Sequence, residues 1–426
     1  MQQILRSVSA LLLGAGLMMV GNSLLNITLP LKMDAAEFSA VAVGIIMSAY
    51  FAGLFAGALY GKRLIGEVGH IRAFAGFAAI IAAVILAHPM LFNHVSWGIL
   101  RFLSGFCIAG LFAVLESWLN ERSDNATRGQ VLSIYMIVNY AAIALGQLMV
   151  NLWDLSAQDG FIMAALLVSL SLVPVVVTQI RAPSLENIEP MSIKDLYAAS
   201  PLAVVGASGA GLLMASYYGI GPLFAEAAGF SVLQVSLFMS SVVVGGLALQ
   251  WSIGRISDRL DRRTVLLGVL SAVTLTCAVG VAVTALHGQF PYYLLVGVVM
   301  GSMTTVYPIS VAQAFDYLPR SKYVAASGSL LLAYSVGATA GPILVSLAVG
   351  AFGPAAFFGF IGIGAASVGG FAVHRMLVRR PLPPEEQEPI VPVPRMSPVV
   401  AAMDPRCPAP EAEAEAEALA MADRAG

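Results

Sequence analysis

The chain has 426 residues, 58% of them hydrophobic and only 11% charged, with 41 glycines besides and a formal net charge of -2. Soluble domains carry about 25% charged residues, so no soluble core could hide this much apolar surface. The small net charge says little about nucleic acid, because the charges sit in a few loops; no nucleic-acid partner is expected.

Arg6 precedes an apolar run from Val8 to Leu29. That run is too long for a signal-peptide core and no A-x-A-like site follows it, so it reads as the first span. A membrane helix needs about 20 mostly apolar residues. On that criterion the sequence predicts spans at 8–29, 40–60, 71–91, 95–118, 129–151 and 160–180. A polar stretch at 181–200 follows, and then spans at 201–225, 231–251, 264–286, 290–313, 323–350 and 353–378. The expected architecture is all-α and integral to the membrane. It has an N-terminal six-helix bundle (1–180), a cytoplasmic linker (181–200) and a C-terminal six-helix bundle (201–378). The Pro-, Ala- and Glu-rich tail, 379–426, reads as disordered.

Basic residues set the orientation. Alternate loops hold Arg6; Lys62, Arg63 and Arg72; Arg122 and Arg128; Arg181 and Lys194; Arg255, Arg259, Arg262 and Arg263; Arg320 and Lys322; and Arg375, Arg379 and Arg380. The opposite loops hold only Lys32. This 17-to-1 split places both termini and the linker in the cytoplasm of a bacterial inner membrane. Eleven or thirteen spans would put basic loops on the wrong side.

The two halves share weak similarity in a consistent order. A shift of about 192 residues puts Gly53 on Gly245 and Gly69-His70 on Asp261-Arg262. Gly146-Gln147 in the fifth span falls against Gly341-Pro342 in the eleventh. Parallel six-span repeats with a site between them are a transporter architecture.

The sharpest motif runs Gly254-Arg-Ile-Ser-Asp258-Arg259-Leu-Asp261-Arg262-Arg263, at the cytoplasmic end of span eight. Gly254 permits close helix approach. Asp258 at the water boundary suits capping of a neighbouring helix and pairing with Arg. The basic cluster suits the anionic leaflet. The segment resembles the G-x-x-x-D-R-x-x-R-R loop signature of the major facilitator superfamily. The matching loop of the first half departs from it, with Gly66 and Glu67 where Asp and Arg would stand. Arg101-Phe-Leu-Ser-Gly105 in span four is similar to that superfamily's R-x-x-x-G motif, which the resemblance links to proton coupling. An intramembrane Arg needs a partner or water, or else snorkels to the nearer interface. Gly337-Ala-Thr-Ala-Gly341-Pro342 in span eleven resembles the Gly/Pro-rich helix of drug antiporters, but there the feature belongs in span five, where this chain has no Pro. A bend with close packing explains it equally.

Polar residues within the spans sketch a cavity. Asn22 and Asn26 share a face of span one, Asn139 and Tyr140 lie in span five, Tyr217 and Tyr218 in span seven, and Tyr307 in span ten. For each, a satisfied interhelical hydrogen bond is the bland alternative. Glu116, a turn from the cytoplasmic end of span four, either titrates or is a plain interfacial acid; Asp316 is a similar candidate, expected to pair with Arg259. Gly53, Gly57 and Gly61 in span two read as packing.

No G-x-x-x-x-G-K-[ST] loop and no H-E-x-x-H occurs, and Cys107, Cys277 and Cys407 fit no metal or redox spacing. No metal, cofactor or enzymatic activity is expected. The resemblance, covering roughly 8–378, implies a secondary transporter of a small solute, working by alternating access as a monomer in the bilayer. Proton-coupled efflux is implied by likeness to bacterial drug- and sugar-efflux carriers. An uncoupled facilitator of the same fold, or a receptor or scaffold that has lost transport, remain the alternatives.

Overall fold

A computed structural model describes residues 2–123, 127–155, 157–177 and 191–380, with 382, 383, 387, 390, 391 and 397 beyond them. Arg181, the first half of the linker and most of the tail expected to be disordered lie outside the described residues. The first half comprises α1 (Gln2–Ala35), α2 (Ala40–Val68), α3 (His70–Met90), α4 (His94–Glu121), α5 (Arg128–Met149) and α6 (Asp159–Val177). A short helix, α7 (Ile193–Ala199), leads into α8 (Pro201–Ala227), α9 (Val232–Ser257) and α10 (Arg262–Ala285). The last spans are α11 (Phe290–Met300) with α12 (Val306–Phe315), then α13 (Tyr323–Phe352) and α14 (Ala356–Val378). Among the described residues, 12 stretches are long and apolar enough to cross a membrane. The connections are tight. Ser39, Asn93 and Ser231 cap α2, α4 and α9 through their side chains, and Ser231 with Gln234 closes a reciprocal box.

Two features differ from the sequence reading. The second helix runs on to Val68 instead of stopping near residue 60. The tenth span is broken, because Gly301–Thr305 winds as a 3-10 segment between α11 and α12. Hydropathy senses apolar content and not winding, so it could not register this break.

Glycines let backbones touch within each half. A Cβ on Gly57 of α2 would lie 2.6 Å from the Phe106 carbonyl oxygen and 2.7 Å from Ala109 Cβ of α4. One on Gly53 would overlap the Phe102 carbonyl, and one on Gly105 the Tyr50 carbonyl. In the second half Gly337 and Gly341 of α13 sit equally close on the α8 backbone at Ser208 and Leu212.

The halves meet mainly at the end away from the basic loops. There α2 packs on α13: a Cβ on Gly44 would lie 2.5 Å from the Pro342 carbonyl oxygen and overlap the Ser346 hydroxyl. On the other flank α5 reaches α9. Ser240 donates to Gln147 Oε1 at 3.0 Å, and Asn151 donates to the Ser236 hydroxyl at 2.8 Å.

Candidate functional site

Between the halves lies a cavity of about 1250 Å³, its mouth included. Its walls come from equivalent positions of the two repeats. Asn22 and Met214, Asn26 and Tyr218, and Met47 and Met239 each differ by the same 192 residues that align Gly53 with Gly245, and all six line the cavity. The spacing follows from the fold: α1 and α8 are the first helices of their bundles and face each other across the interface. Asn139, Tyr140 and Gln250 extend the polar lining, and Thr304 and Pro308 bring the broken tenth span to it.

Arg101 supplies the cavity's charge. It is 0% exposed, its Nη2 donates to Asn26 Oδ1 at 2.7 Å, and its guanidinium carbon lies 4.3 Å from the Tyr50 ring centre. Tyr50 Oη in turn accepts from Asn22 Nδ2 at 3.2 Å. Arg101 therefore does not snorkel; α1 and α2 hold it inside the wall. Nε and Nη1 meet no hydrogen-bond acceptor. His88 bears on Arg101 from α3, yet it carries no negative charge to balance it.

The other expected cavity residues divide. Tyr218 lines the wall, and Tyr140 does so while donating to Gln250 across the interface at 2.8 Å. Tyr217 does not line it. Its hydroxyl donates to the Phe238 carbonyl at 2.8 Å, inside the second half. Tyr307 is also turned from the lining and packs its ring on Tyr334, with centroids 5.4 Å apart. Tyr50 and Tyr334, which do line the cavity, were missed by the sequence reading. They met the same criterion, a polar side chain within a span.

The charged cluster at the basic end is rearranged from expectation. Asp316 pairs with Arg262, not Arg259: Nε to Oδ2 is 2.6 Å, and both side chains are buried. Arg262 opens α10 on its inner face, whereas Arg259 points outward from the turn and is exposed. Arg263 is held by Asp261 at 2.7 Å and donates to the Arg379 carbonyl at 2.7 Å. Asp258 ends α9, lies 3.7 Å from Arg262 Nη1 and accepts from the Ile390 amide at 2.6 Å. Gly254 faces the Ile390 side chain, so its small size admits the tail and not a neighbouring helix. Glu116 is 0% exposed and does not line the central cavity. Tyr135 donates to one of its oxygens at 3.0 Å and the Ser397 hydroxyl to the other.

A further acidic pair went unread in the sequence. Asp34 ends α1 and Glu226 ends α8, at the closed end, so that the two carboxyl groups come near each other across the halves. Glu226 Oε2 is buried and reached by no protein N–H or O–H. The shift of about 192 residues superimposes Asp34 on Glu226, which is the signal that could have found them. Two neighbouring carboxylates repel, and that repulsion is relieved when one of them takes up a proton. Among the described residues, no group of three or more His, Cys, Asp or Glu stands where it could hold a metal ion.

A family model described as Major Facilitator Superfamily matches residues 11–280 and 204–403. The chain belongs to the Major Facilitator Superfamily. It is therefore a transmembrane transporter of multi-pass, all-α build. It is 28% identical over 344 residues to uncharacterized MFS-type transporters of Yersinia pestis and Escherichia coli, covering 80% of this chain and 88% of theirs. Its fold is similar to that of the nucleoside transporter NupG, with a TM-score of 0.71 at 13% identity over 88% of this chain and all of the other. It is also similar to a bacterial homologue of the lysosomal transporter Spinster, with a TM-score of 0.61 at 12% identity, over 96% of this transporter and 99% of that one. At such identities the likeness concerns the fold alone.

Proposed function

We propose that this transporter moves a small solute through the central cavity by alternating access, with its basic end cytoplasmic and its opposite end closed in the present state. The observation that carries this is the cavity itself. Both repeats build it from equivalent residues, and the close-packed Gly44–Pro342 and Gln147–Ser240 contacts seal one end. Spin labels at Leu152 and Leu233 would report the closed mouth, and a pair at Leu64 and Leu260 the other; all four side chains are exposed. As the first distance widens, the second should shorten. Independent changes at the two ends would defeat the reading and favour a fixed receptor or scaffold.

Proton coupling is part of the proposal, and the Asp34–Glu226 pair supports it. Each carboxyl's ionisable neighbour is the other, while Lys32 on the same turn of α1 points away, to the Ala157 carbonyl and Asp154. Glu37 lies exposed beyond the turn, and His94 is stacked on Phe38. Closure brings the two carboxyls together, and their mutual repulsion there favours uptake of a proton that separated, hydrated carboxyls do not hold at neutral pH. Because closure binds the extra proton, raising the pH favours opening, by at most about tenfold per unit for one proton. Asp34→Asn, which removes one of the two like charges, should flatten the pH dependence of the Leu152–Leu233 distance. An unaltered pH dependence in that variant would instead support an uncoupled facilitator.

A further inference from the structure

We infer that the solute is an amphipathic organic monoanion whose carboxylate or similar group is received by Arg101. The inference rests on the transport reading above and narrows it to a substrate class. The cavity lining contains Arg101 and no Asp, Glu, Lys or His. Glu116 lies 15 residues further along α4, roughly 22 Å away by helix rise, and is held by Tyr135 and Ser397. Arg101 is thus a guanidinium fully removed from water, bonded to one neutral amide, with two donor nitrogens unfilled. Each buried donor without an acceptor costs about 1–3 kcal/mol, and an unbalanced buried cation costs more. A carboxylate presents two acceptors that match the guanidinium fork and cancels the charge in one contact.

The remaining lining fixes the other end of the molecule. Met19, Met47, Met136, Met214 and Met239, with Phe51, make soft apolar walls that accommodate varied hydrocarbon shapes. A dianion would leave one charge unmatched, and a cation would face Arg101 with no acid to receive it. A single acidic head on an apolar body fits both ends.

The test compares three molecules of one shape, 4-phenylbutyrate, 4-phenylbutylamine and 4-phenylbutanol, by their stabilisation of the purified full-length protein against heat in lipid nanodiscs. The acid is expected to bind at least tenfold tighter than either neighbour. Arg101→Gln should abolish that preference. Asn26→Asp keeps the arginine but neutralises it from within the wall, and should reverse the preference toward the amine even if the first variant folds poorly. A preference for the amine in the unaltered protein, no preference among the three, or retention of the acid preference in both variants would overturn the proposal. The two label pairs described above report alternation without any of these molecules. Failure of the substrate class is therefore distinct from failure of the transport reading.

Discussion

Gly44→Ala isolates the closure of one face from the stability of each half. The added Cβ would lie 2.5 Å from the Pro342 carbonyl oxygen. The Ser346 hydroxyl in its way could rotate aside, but the carbonyl belongs to the backbone of a packed helix. Ordinary contact needs α13 to retreat by roughly 1 Å, and overpacking of that size costs about 1–3 kcal/mol. The cost falls on the closed state alone, because Gly44 and Pro342 belong to different halves. The ratio of open to closed should therefore rise by about 5- to 150-fold. Double electron–electron resonance between labels at Leu152 and Leu233, on the far flank from the substitution, would read that ratio. Gly53→Ala is the control. Its Cβ would overlap the Phe102 carbonyl within the first half, so it should lower the thermal midpoint and leave the distance distribution alone. An unchanged distribution in folded Gly44→Ala, or an equal change in both variants, would refute the argument that this contact seals the face.

The ion pair at the basic end should behave as a buried one. Arg262→Ala takes the guanidinium away from the Asp316 carboxylate, which is 3% exposed, and should cost up to about 3–5 kcal/mol, whereas Arg262→Met with Asp316→Leu should recover most of it. Equal losses in the single and double variants, measured by thermal or denaturant unfolding in detergent, would show that the pair itself adds little. Ser397→Ala removes a donor from the fully buried Glu116 and should cost about 1–3 kcal/mol. The same substitution made on a Glu116→Leu background should cost almost nothing. A thermal midpoint unmoved by Ser397→Ala alone would exclude the tail contact.

The spans were legible because the bilayer imposes a length and a hydropathy on each, whatever its neighbours. The candidate site was legible only as a set of polar side chains within spans. Asn22, Asn26 and Arg101 stood out as polar side chains within spans, and they line the cavity because α1 and α4 turn them inward. Tyr217 met that criterion too, but the rotation of α8 about its axis sends its hydroxyl to the Phe238 carbonyl. Such rotation is settled by neighbouring helices, and a uniformly apolar helix carries little trace of it in its own residues. Pairings across long separations were less legible still. Asp316 found the buried Arg262 rather than the exposed Arg259, and Asp34 lies near Glu226 because duplication set both at the interface.

The winding of the tenth span gives the two repeats different mechanics. In the first half α4 runs unbroken from His94 to Glu121. In the second, the Gly301–Thr305 segment separates α11 from α12 and brings Thr304 to the cavity. A 3-10 turn rises about 0.5 Å more per residue than an α-turn, so rewinding those five residues would shorten the span by about 2.5 Å. One half would then serve as a rigid strut and the other as an elbow, letting occupancy at the centre be felt as tension at an end.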